Sequence, residues 1–372
     1  MHMAGIFHPG AYIYVCTRLQ IRKRRLIPED QYLRMLHMSS SQITRMIGEG
    51  NYRAQVLEFP GGAMDTNQIE QALTDNLALS FQRVLDLAPG TLGVLTSRYL
   101  ARWDIINVML VLHGKEHRIS DQRIMSELIP AGELDRPFLE ALIGQNSAEQ
   151  IVPMLEDWVL YPVLFEWYMQ KEGAGRFARL ENRLYKKYYV DLLHALRNDP
   201  KTDYVFTRYI RLEIDLVNLR NIFRLRSGGV THEIGHYLIP GGTVDLTTFG
   251  TLYGIEEKSV FIEEIQRTSI FPLIIGGLQE INRGVTVDAE MVGEMLWLRW
   301  QQRRTPIHEV KMAVTRARLD QMDRLATRHP FSVLPVLSYL ERKKYEVFNL
   351  RAIIRGKEYG LSNELIKRYL VI

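Results

Sequence analysis

At 372 residues, the chain is long enough for two or three domains or for one extended repeat structure. Its 46% hydrophobic and 24% charged residues are typical of a folded protein, and 47 basic against 43 acidic residues favour acidic partners only weakly. The single cysteine excludes an intramolecular disulfide framework and fits a reducing, cytoplasmic compartment. Charges interrupt every apolar run before it could span a bilayer, and the first residues lack a signal-peptide pattern, so we expect only peripheral membrane contact.

The first predicted element is an apolar helix that contains Cys16 and ends in a basic run. Because apolar surroundings keep a thiol protonated, we favour core packing over a nucleophilic role for Cys16. Two basic runs are candidate partner interfaces, although solvated helix faces would give the same pattern. Their residues are Arg22, Lys23, Arg24, Arg25, Arg299 and Arg303. Trp297 and Trp300 stand one helical turn apart beside the second run, which indicates a core stripe and weakens a nucleic-acid interpretation.

A short motif recurs along the chain. Leu-Ile-Pro occurs at 26–28, 128–130 and 238–240, and residues 370–372 read Leu-Val-Ile. An acid, two apolar residues and an asparagine precede each of the last three, with the asparagine 20 or 21 residues before the leucine. The acid and asparagine pairs are Asp104 with Asn107, Asp215 with Asn218, and Glu346 with Asn349. We interpret these acids as structural groups at helix ends or in ion pairs, because they recur beside an apolar core.

This recurrence predicts three tandem units of related structure. The units comprise residues 1–127, which include the N-terminal helix, residues 128–237 and residues 238–372. Each is much longer than a solenoid repeat, so each is expected to be a small domain. Three related domains suggest a pseudo-threefold body.

Helical periodicity dominates the units, and strand patterns with hairpin turns are missing. Segment 179–196 carries an apolar stripe at four-residue spacing, and segment 307–326 carries a similar one. The two stripes consist of Leu180, Leu184, Tyr188 and Leu192, and of Val310, Val314, Ala317 and Met322. Further helices are predicted at 65–88, 98–113, 148–171, 205–226, 257–282, 288–302 and 335–355. The predicted fold class is all-α.

The sequence HEIGH at 232–236 matches the H-E-x-x-H motif of zinc peptidases, in which two histidines one helical turn apart bind the metal. Glu256 stands twenty residues further on, where one group of these enzymes has its third ligand. However, the corresponding segments of the other units have no histidine, and Pro240 ends the helix within a turn. We therefore predict a short connecting helix and no metal, cofactor or catalytic site. The motif residues set aside in this way are His232, Glu233 and His236.

The C-terminal segment 339–372 reads YLERKKYEVFNLRAIIRGKEYGLSNELIKRYLVI, with Glu346, Asn349 and Arg351 in its central helix. It resembles the ending of the C subunit of archaeal-type ATP synthases, which is equivalent to the d subunit of vacuolar-type ATPases. The segment AYIYVCTRLQIRKRRLI at 11–27 is similar to the opening helix of this family, and LENRLYKKYYVDLL is similar to its acid-then-aromatic helix. The resemblance covers essentially the whole chain.

The resemblance implies three similar helical domains in a funnel-like arrangement around a central opening. It implies a non-catalytic rotor subunit of the central stalk, on the cytoplasmic face of the membrane. Its partners would be the proteolipid ring, formed by c or K subunits, and the D and F subunits of the axle. The protein would transmit torque between proton or sodium transport and ATP synthesis or hydrolysis, without a cofactor or nucleic acid.

Two alternatives from other functional classes stay open on the sequence alone. The first is a zinc metallopeptidase that uses His232 and His236 as metal ligands. The second is a helical scaffold that binds RNA or protein, for which binding to nucleic acid would depend steeply on salt.

Overall fold

The computed structural model of the chain describes residues 9–59, 64–170, 173, 175–198, 203–229, 234–281, 286–301 and 308–372. All regular secondary structure within these ranges is helical, as predicted. The first half contains α1 Pro9–Arg24, α2 Glu29–Met35, α3 Ser40–Gly48, α4 Arg53–Leu57, α5 Thr66–Leu87, α6 Gly90–Leu100, α7 Arg102–Glu116, α8 Asp121–Glu127, α9 Arg136–Ile143, α10 Ala148–Met154 and α11 Tyr161–Gln170. The second half contains α12 Arg176–Asn198, α13 Tyr204–Ser227, a 3-10 helix Ile234–Tyr237, α14 Leu246–Gly254, α15 Lys258–Gln266, α16 Phe271–Ile281, α17 Ala289–Gln301, α18 His308–Arg328, α19 Leu334–Glu358 and α20 Asn363–Tyr369.

Local sequence explains where many helices begin. Ser39 and Asp65 each accept a hydrogen bond from the backbone N–H three residues later. The Gln side chain at that later position accepts one in turn from the backbone N–H of the Ser or Asp. These capping boxes satisfy amide groups that a helix start otherwise leaves unpaired. Asp135, which accepts from the amide of Phe138, caps α9 in the same way.

Both predicted apolar stripes are buried. Leu180 and Leu184 of α12 are fully buried, as are Val310 and Met322 of α18. Two of the long predicted helices are wrong, because 148–171 is divided into α10 and α11, and 257–282 into α15 and α16. The second helix of each pair begins with an aromatic residue followed by proline, and a proline disfavours helical conformation in the residue before it.

The chain forms two compact units. The first combines Met1–Glu172 with Pro335–Ile372, and the second is the continuous stretch Gly173–Leu334. The predicted second unit, 128–237, contributes residues to both of them. The division into three domains and their pseudo-threefold relation stay predictions.

The first unit is closed by α19, which bonds to residues far away in sequence. The ammonium group of Lys357 donates to the carbonyl oxygen of Leu36 at 2.8 Å, and Lys23 donates to Ser338 at 2.7 Å. Arg355 pairs with Glu70 of α5 through two hydrogen bonds, the longer of 2.7 Å. The last 38 residues, Pro335–Ile372, are therefore part of the core built by the first helices.

An aromatic cluster forms part of the core of the second unit. The indole ring of Trp300 stacks on Phe261 with ring centroids 5.0 Å apart, and it meets Phe223 edge-on at the same distance. Trp297 and Trp300 are 5% and 1% exposed, so their predicted core role is confirmed. Close packing of α16 on α18 depends on Gly277, since a Cβ at this position would meet backbone atoms of Ala317 at 2.7 Å.

The helices α9 to α11 and α14 to α16 share one register. Tyr161-Pro162, which begins α11, recurs 110 residues later as Phe271-Pro272 at the start of α16. Residues 155–160 and residues 265–270 have the same succession of buried and exposed positions. The two halves therefore give two versions of one structural segment, which can be compared position by position.

Candidate functional site

The recurrent asparagines form the same structure three times. The amide nitrogen of Asn107 donates to the carbonyl oxygen of Ile129 at 2.8 Å, and its amide oxygen accepts from the N–H of the same residue at 3.1 Å. Asn218 makes this pair of bonds to Ile239 at 2.8 and 2.8 Å, and Asn349 makes it to Val371 at 2.9 and 2.7 Å. We call each pair an asparagine clamp. The clamps satisfy both backbone groups of a buried residue that belongs to no helix.

The acids of the motif hold the turn that follows each clamp in two of the three copies. The carboxylate of Asp104 accepts from the N–H groups of Glu133 and Leu134 at 2.8 and 3.1 Å. Asp215 accepts from the N–H groups of Thr243 and Val244 at 2.9 and 3.1 Å, and from the hydroxyl of Thr243. Both carboxylates are fully buried. The predicted structural role of these acids is therefore seen as hydrogen bonds to the segment before a helix.

A glycine lies against each of these carboxylates. A Cβ at Gly132 would overlap the side chain of Asp104, and a Cβ at Gly242 would overlap an oxygen of Asp215. Only glycine leaves room for the carboxylate to reach the next two amides. Sequence reasoning missed these residues, although both stand three positions before an aspartate that immediately precedes a helix, in corresponding places of the repeat.

Glu346, the third acid, has different partners. One carboxylate oxygen accepts from the N–H of Ile27 at 2.7 Å, and the other accepts from the hydroxyl of Tyr52 at 2.6 Å and from the ammonium of Lys343 at 2.7 Å. Lys343 is 2% exposed, and burial lowers its pKa while Glu346 opposes that shift. Burial and the charge of Glu346 raise the pKa of Tyr52 well above its usual value. These hydrogen bonds join the chain segments at residues 27, 52 and 346.

The buried carboxyl of Asp104 predicts that stability depends on pH. Burial, partly offset by the two amide hydrogen bonds, raises the pKa of Asp104 to about 7, whereas an Asp in an unfolded chain titrates near pH ~3.9. Between these values the folded state keeps a proton that the unfolded state has lost, so this group makes the free energy of unfolding fall as pH rises towards 7 and leaves it level above. We expect a contribution of about 1.4 kcal/mol per pH unit, measured by urea denaturation between about pH 5 and pH 8.

Asp104→Asn should remove this contribution, because the amide does not titrate. Asp30→Asn is the matched control, since Asp30 is exposed and pairs with Arg34 at 2.6 Å. It should keep the wild-type pH profile. A profile that Asp104→Asn leaves unchanged would show that another group titrates.

The short helix before each clamp takes two forms. In α8 and α20, Ile124 and Ile366 pack so closely on Gly114 and Gly356 that a Cβ at either glycine would overlap the isoleucine. The corresponding residue of α13 is Leu225, which is 5% exposed and leaves no space for such an approach. The following element is a 3-10 helix of four residues, in agreement with the predicted short connecting helix.

The HEIGH segment lies at this 3-10 helix. Its first two candidates, His232 and Glu233, lie outside the described residues, and His236 is exposed. The carbonyl oxygen of His236 accepts a 3.3 Å hydrogen bond from Asn182. The structure shows no group of three or more His, Cys, Asp or Glu arranged to hold a metal ion within the described ranges.

The basic runs are divided between buried and exposed positions. In the first run, Arg22 and Lys23 are half-buried, with Lys23 bonded to Ser338, whereas Arg24 and Arg25 are exposed. All four end or follow α1, where cations favour the negative end of the helix dipole. In the second run Arg299 is half-buried on α17, and Arg303 lies outside the described residues.

Cys16 is 1% exposed on α1, and burial raises the pKa of its thiol to about 11. The thiolate that a nucleophile requires is therefore scarce near neutral pH. The predicted core role of this cysteine agrees with its position.

Comparison with known proteins decides the family. A sequence profile described as ATP synthase (C/AC39) subunit matches residues 15–369. The chain belongs to this family. The C subunit of the A-type ATP synthase of Methanosarcina mazei is 34% identical to it over 365 residues, which cover 97% of this chain and 93% of the relative. The same protein of Archaeoglobus fulgidus is 29% identical over 364 residues, covering 98% and 97% of the two chains.

Membership of the ATP synthase (C/AC39) family confirms the predicted resemblance. The chain is accordingly part of a rotary ATPase complex and not itself an enzyme. The family match, rather than the geometry of residues 234–236, separates it from the zinc peptidases and from a nucleic-acid scaffold. Among the helices of the described ranges, none has the length and apolar character needed to cross a membrane.

Proposed function

We propose that this chain is the C subunit in the central stalk of an A-type ATP synthase. In this role it is a socket at the cytoplasmic face of the membrane. It joins the proteolipid ring of c or K subunits to the D and F subunits of the axle, and it transmits torque between proton or sodium transport and ATP synthesis or hydrolysis. The observation that carries the proposal is the family match over residues 15–369, together with relatives that are named as the C subunits of A-type ATP synthases.

The internal construction of the chain supports a mechanical role. A torque-transmitting part needs stiffness, and closely packed interiors resist deformation. The three asparagine clamps fix residues between helices by paired hydrogen bonds, and Gly277 brings two helix backbones into contact. We infer that these devices keep the socket rigid while it turns.

The three predicted units also suit this function. Three related helical domains in a funnel-like, pseudo-threefold arrangement would surround an axle with similar surfaces. A threefold body on a ring of more numerous subunits cannot match it site for site, so we expect an adaptable contact on the ring side.

The experiment is affinity purification of the tagged chain from detergent-solubilised membranes of its source, under conditions that leave the ATPase intact. Recovery of the proteolipid ring and both axle proteins in fixed proportion would support the proposal. Recovery of neither would overturn it. Recovery of the axle proteins alone would reject the ring contact while retaining the axle contact.

The exposed end of the first basic run is the proposed interface, and it gives a sharper prediction. Arg24→Ala combined with Arg25→Ala should reduce recovery of the partners about fivefold, if each rim charge contributes roughly 0.5 kcal/mol. The loss should shrink as salt is raised, because salt screens such charges. Arg45→Ala is the control, since Arg45 is also exposed in the same unit and pairs with Glu49 at 3.1 Å. Equal losses in the two variants would contradict the assignment.

A further inference from the structure

An apolar stripe is exposed on the segment that contains α10 and α11. Val159, Phe165 and Met169 are 62%, 43% and 62% exposed, and Pro162 is exposed between them. Residues three and four apart share one face of a helix, so Pro162, Phe165 and Met169 line the outer side of α11. The inner side of α11 is also apolar, with Leu164 fully buried.

The segment that carries this stripe is acidic. Segment 148–170 has four acidic residues and no Lys or Arg, although the whole chain has a net charge of +4. All four acids are exposed. They are Glu149, Glu156, Asp157 and Glu166. A contiguous row of exposed apolar side chains is a common mark of an interaction site.

The second version of this segment shows that the fold does not require apolar residues at two positions of the stripe. At the place of Val159 the chain has Ser269, and at the place of Met169 it has Gln279. These two polar residues are exposed as well, and the buried positions on either side correspond. Solvent-facing positions in this register are therefore satisfied by polar residues, so the apolar ones at 159 and 169 serve something other than folding.

The two versions also differ in charge, and the α10–α11 version is the more acidic at the positions compared. Glu156 and Asp157 have Gln266 and Arg267 as counterparts, and all four residues are exposed. The apolar residues at 159 and 169 and the acidic pair thus belong to the α10–α11 version alone. Pro162 and Phe165 have apolar counterparts in Pro272 and Ile275.

We propose that the exposed face of α10 and α11 is a docking surface for a basic amphipathic helix of another protein. The apolar ridge of such a helix would lie along Pro162, Phe165 and Met169, as helices in grooves do. Its Lys and Arg side chains would meet the carboxylates on either side, which also favours correct orientation. Since α11 has 10 residues and rises ~1.5 Å per residue, it offers contact to about three turns of a partner helix. The carboxylates would repel anionic lipid and nucleic acid. The proposal does not depend on the coupling role.

The test uses the full chain and a designed peptide as the probe. The peptide is a helix of about 18 residues, long enough to be partly helical in isolation, with Leu on one face, Lys on the other and a photoreactive group on the Leu face. It should bind the chain and cross-link within 156–170. The same peptide with Glu in place of Lys should bind at least tenfold more weakly. Equal binding of the two peptides, or cross-links elsewhere on the chain, would overturn the proposal.

Each variant replaces residues of the α10–α11 segment by those that the chain has at the corresponding positions of the α15–α16 segment. Val159→Ser with Met169→Gln, and separately Glu156→Gln with Asp157→Arg, should each weaken binding of the Lys peptide at least fivefold. Leu57→Ser is the control, because Leu57 is 69% exposed on α4 in the same unit, and it should leave binding unchanged. Circular dichroism verifies that each variant is folded.

Sedimentation of the chain alone tests whether a second copy of the chain covers this surface instead of a partner helix. A monomer whose peptide binding responds to the variants supports the proposal. A dimer that Val159→Ser with Met169→Gln dissociates would show that the chain covers this face itself, and it would overturn the proposal.

Discussion

Replacing Gly242 by Ala is expected to lower the free energy of unfolding by about 4 kcal/mol, the cost typical of a large strain combined with lost buried hydrogen bonds. The added methyl group would overlap the carboxylate of Asp215, which is fully buried. To make room, the carboxylate would have to leave the amides of Thr243 and Val244. Urea denaturation followed by circular dichroism measures the loss.

Gly250→Ala is the matched control for this substitution. Gly250 lies inside α14, and a Cβ there would meet no atom within 4 Å. Alanine at such a position should raise the free energy of unfolding by about 0.5 to 1 kcal/mol, since it favours the helix more than glycine does. A similar loss in both variants would refute the steric explanation. Combining Gly242→Ala with Asp215→Ala should cost less than the sum of the two single changes, because the overlap is absent.

Removing an asparagine clamp is expected to have the next largest effect. Asn218→Ala leaves both backbone groups of Ile239 without a partner, and Ile239 is fully buried. An unpaired buried donor or acceptor costs about 1 to 3 kcal/mol, so we expect a loss of roughly 3 kcal/mol. Hydrogen exchange of the amide of Ile239 should become faster relative to amides within α14.

Asn198→Ala provides the comparison for the clamp. Asn198 is exposed at the end of α12, and its side chain contacts His194 at 3.3 Å. Its replacement should change stability by about 0.5 kcal/mol or less. If Asn218→Ala were equally mild, ordered water would have to replace both hydrogen bonds of the clamp.

The sequence predicted the helical character of the chain because amphipathic periodicity extends over long stretches such as 179–196 and 307–326. It failed at 155–160 and 267–270, where the chain turns between two helices and the predicted long helices are interrupted. The signal was present, since Tyr161-Pro162 and Phe271-Pro272 occupy the same place in the repeat. A pattern of apolar residues alone does not register the backbone restriction that proline imposes.

The structural motif was predictable in part. Recurrence identified Asn107, Asn218 and Asn349, and the apolar tripeptides that follow them supplied their partners, but spacing alone does not show that an amide side chain pairs with both backbone groups. The environment of Glu346 was beyond reach, because Tyr52 is 294 residues away from it. No local pattern indicates a contact at such a separation.

The surface at α10 and α11 was also missed, for a different reason. Segment 148–171 was predicted only as a helix, with no assignment of its faces. Both faces of α11 are apolar, and only burial distinguishes Leu164 from Phe165. Alignment of the two segments would have shown that 159 and 169 are apolar where the other segment has Ser269 and Gln279.

The closure of the first unit by α19 has a consequence for the growing polypeptide on the ribosome. Tyr52 is synthesised 294 residues before Glu346, which at about 5 to 20 residues per second corresponds to roughly 15 to 60 s of translation. Throughout that time the first helices lack Glu346, Lys343 and Arg355, whereas the continuous stretch Gly173–Leu334 emerges complete and can fold. The second unit can therefore fold while the first is still incomplete, and the first helices remain without these partners until α19 has been synthesised.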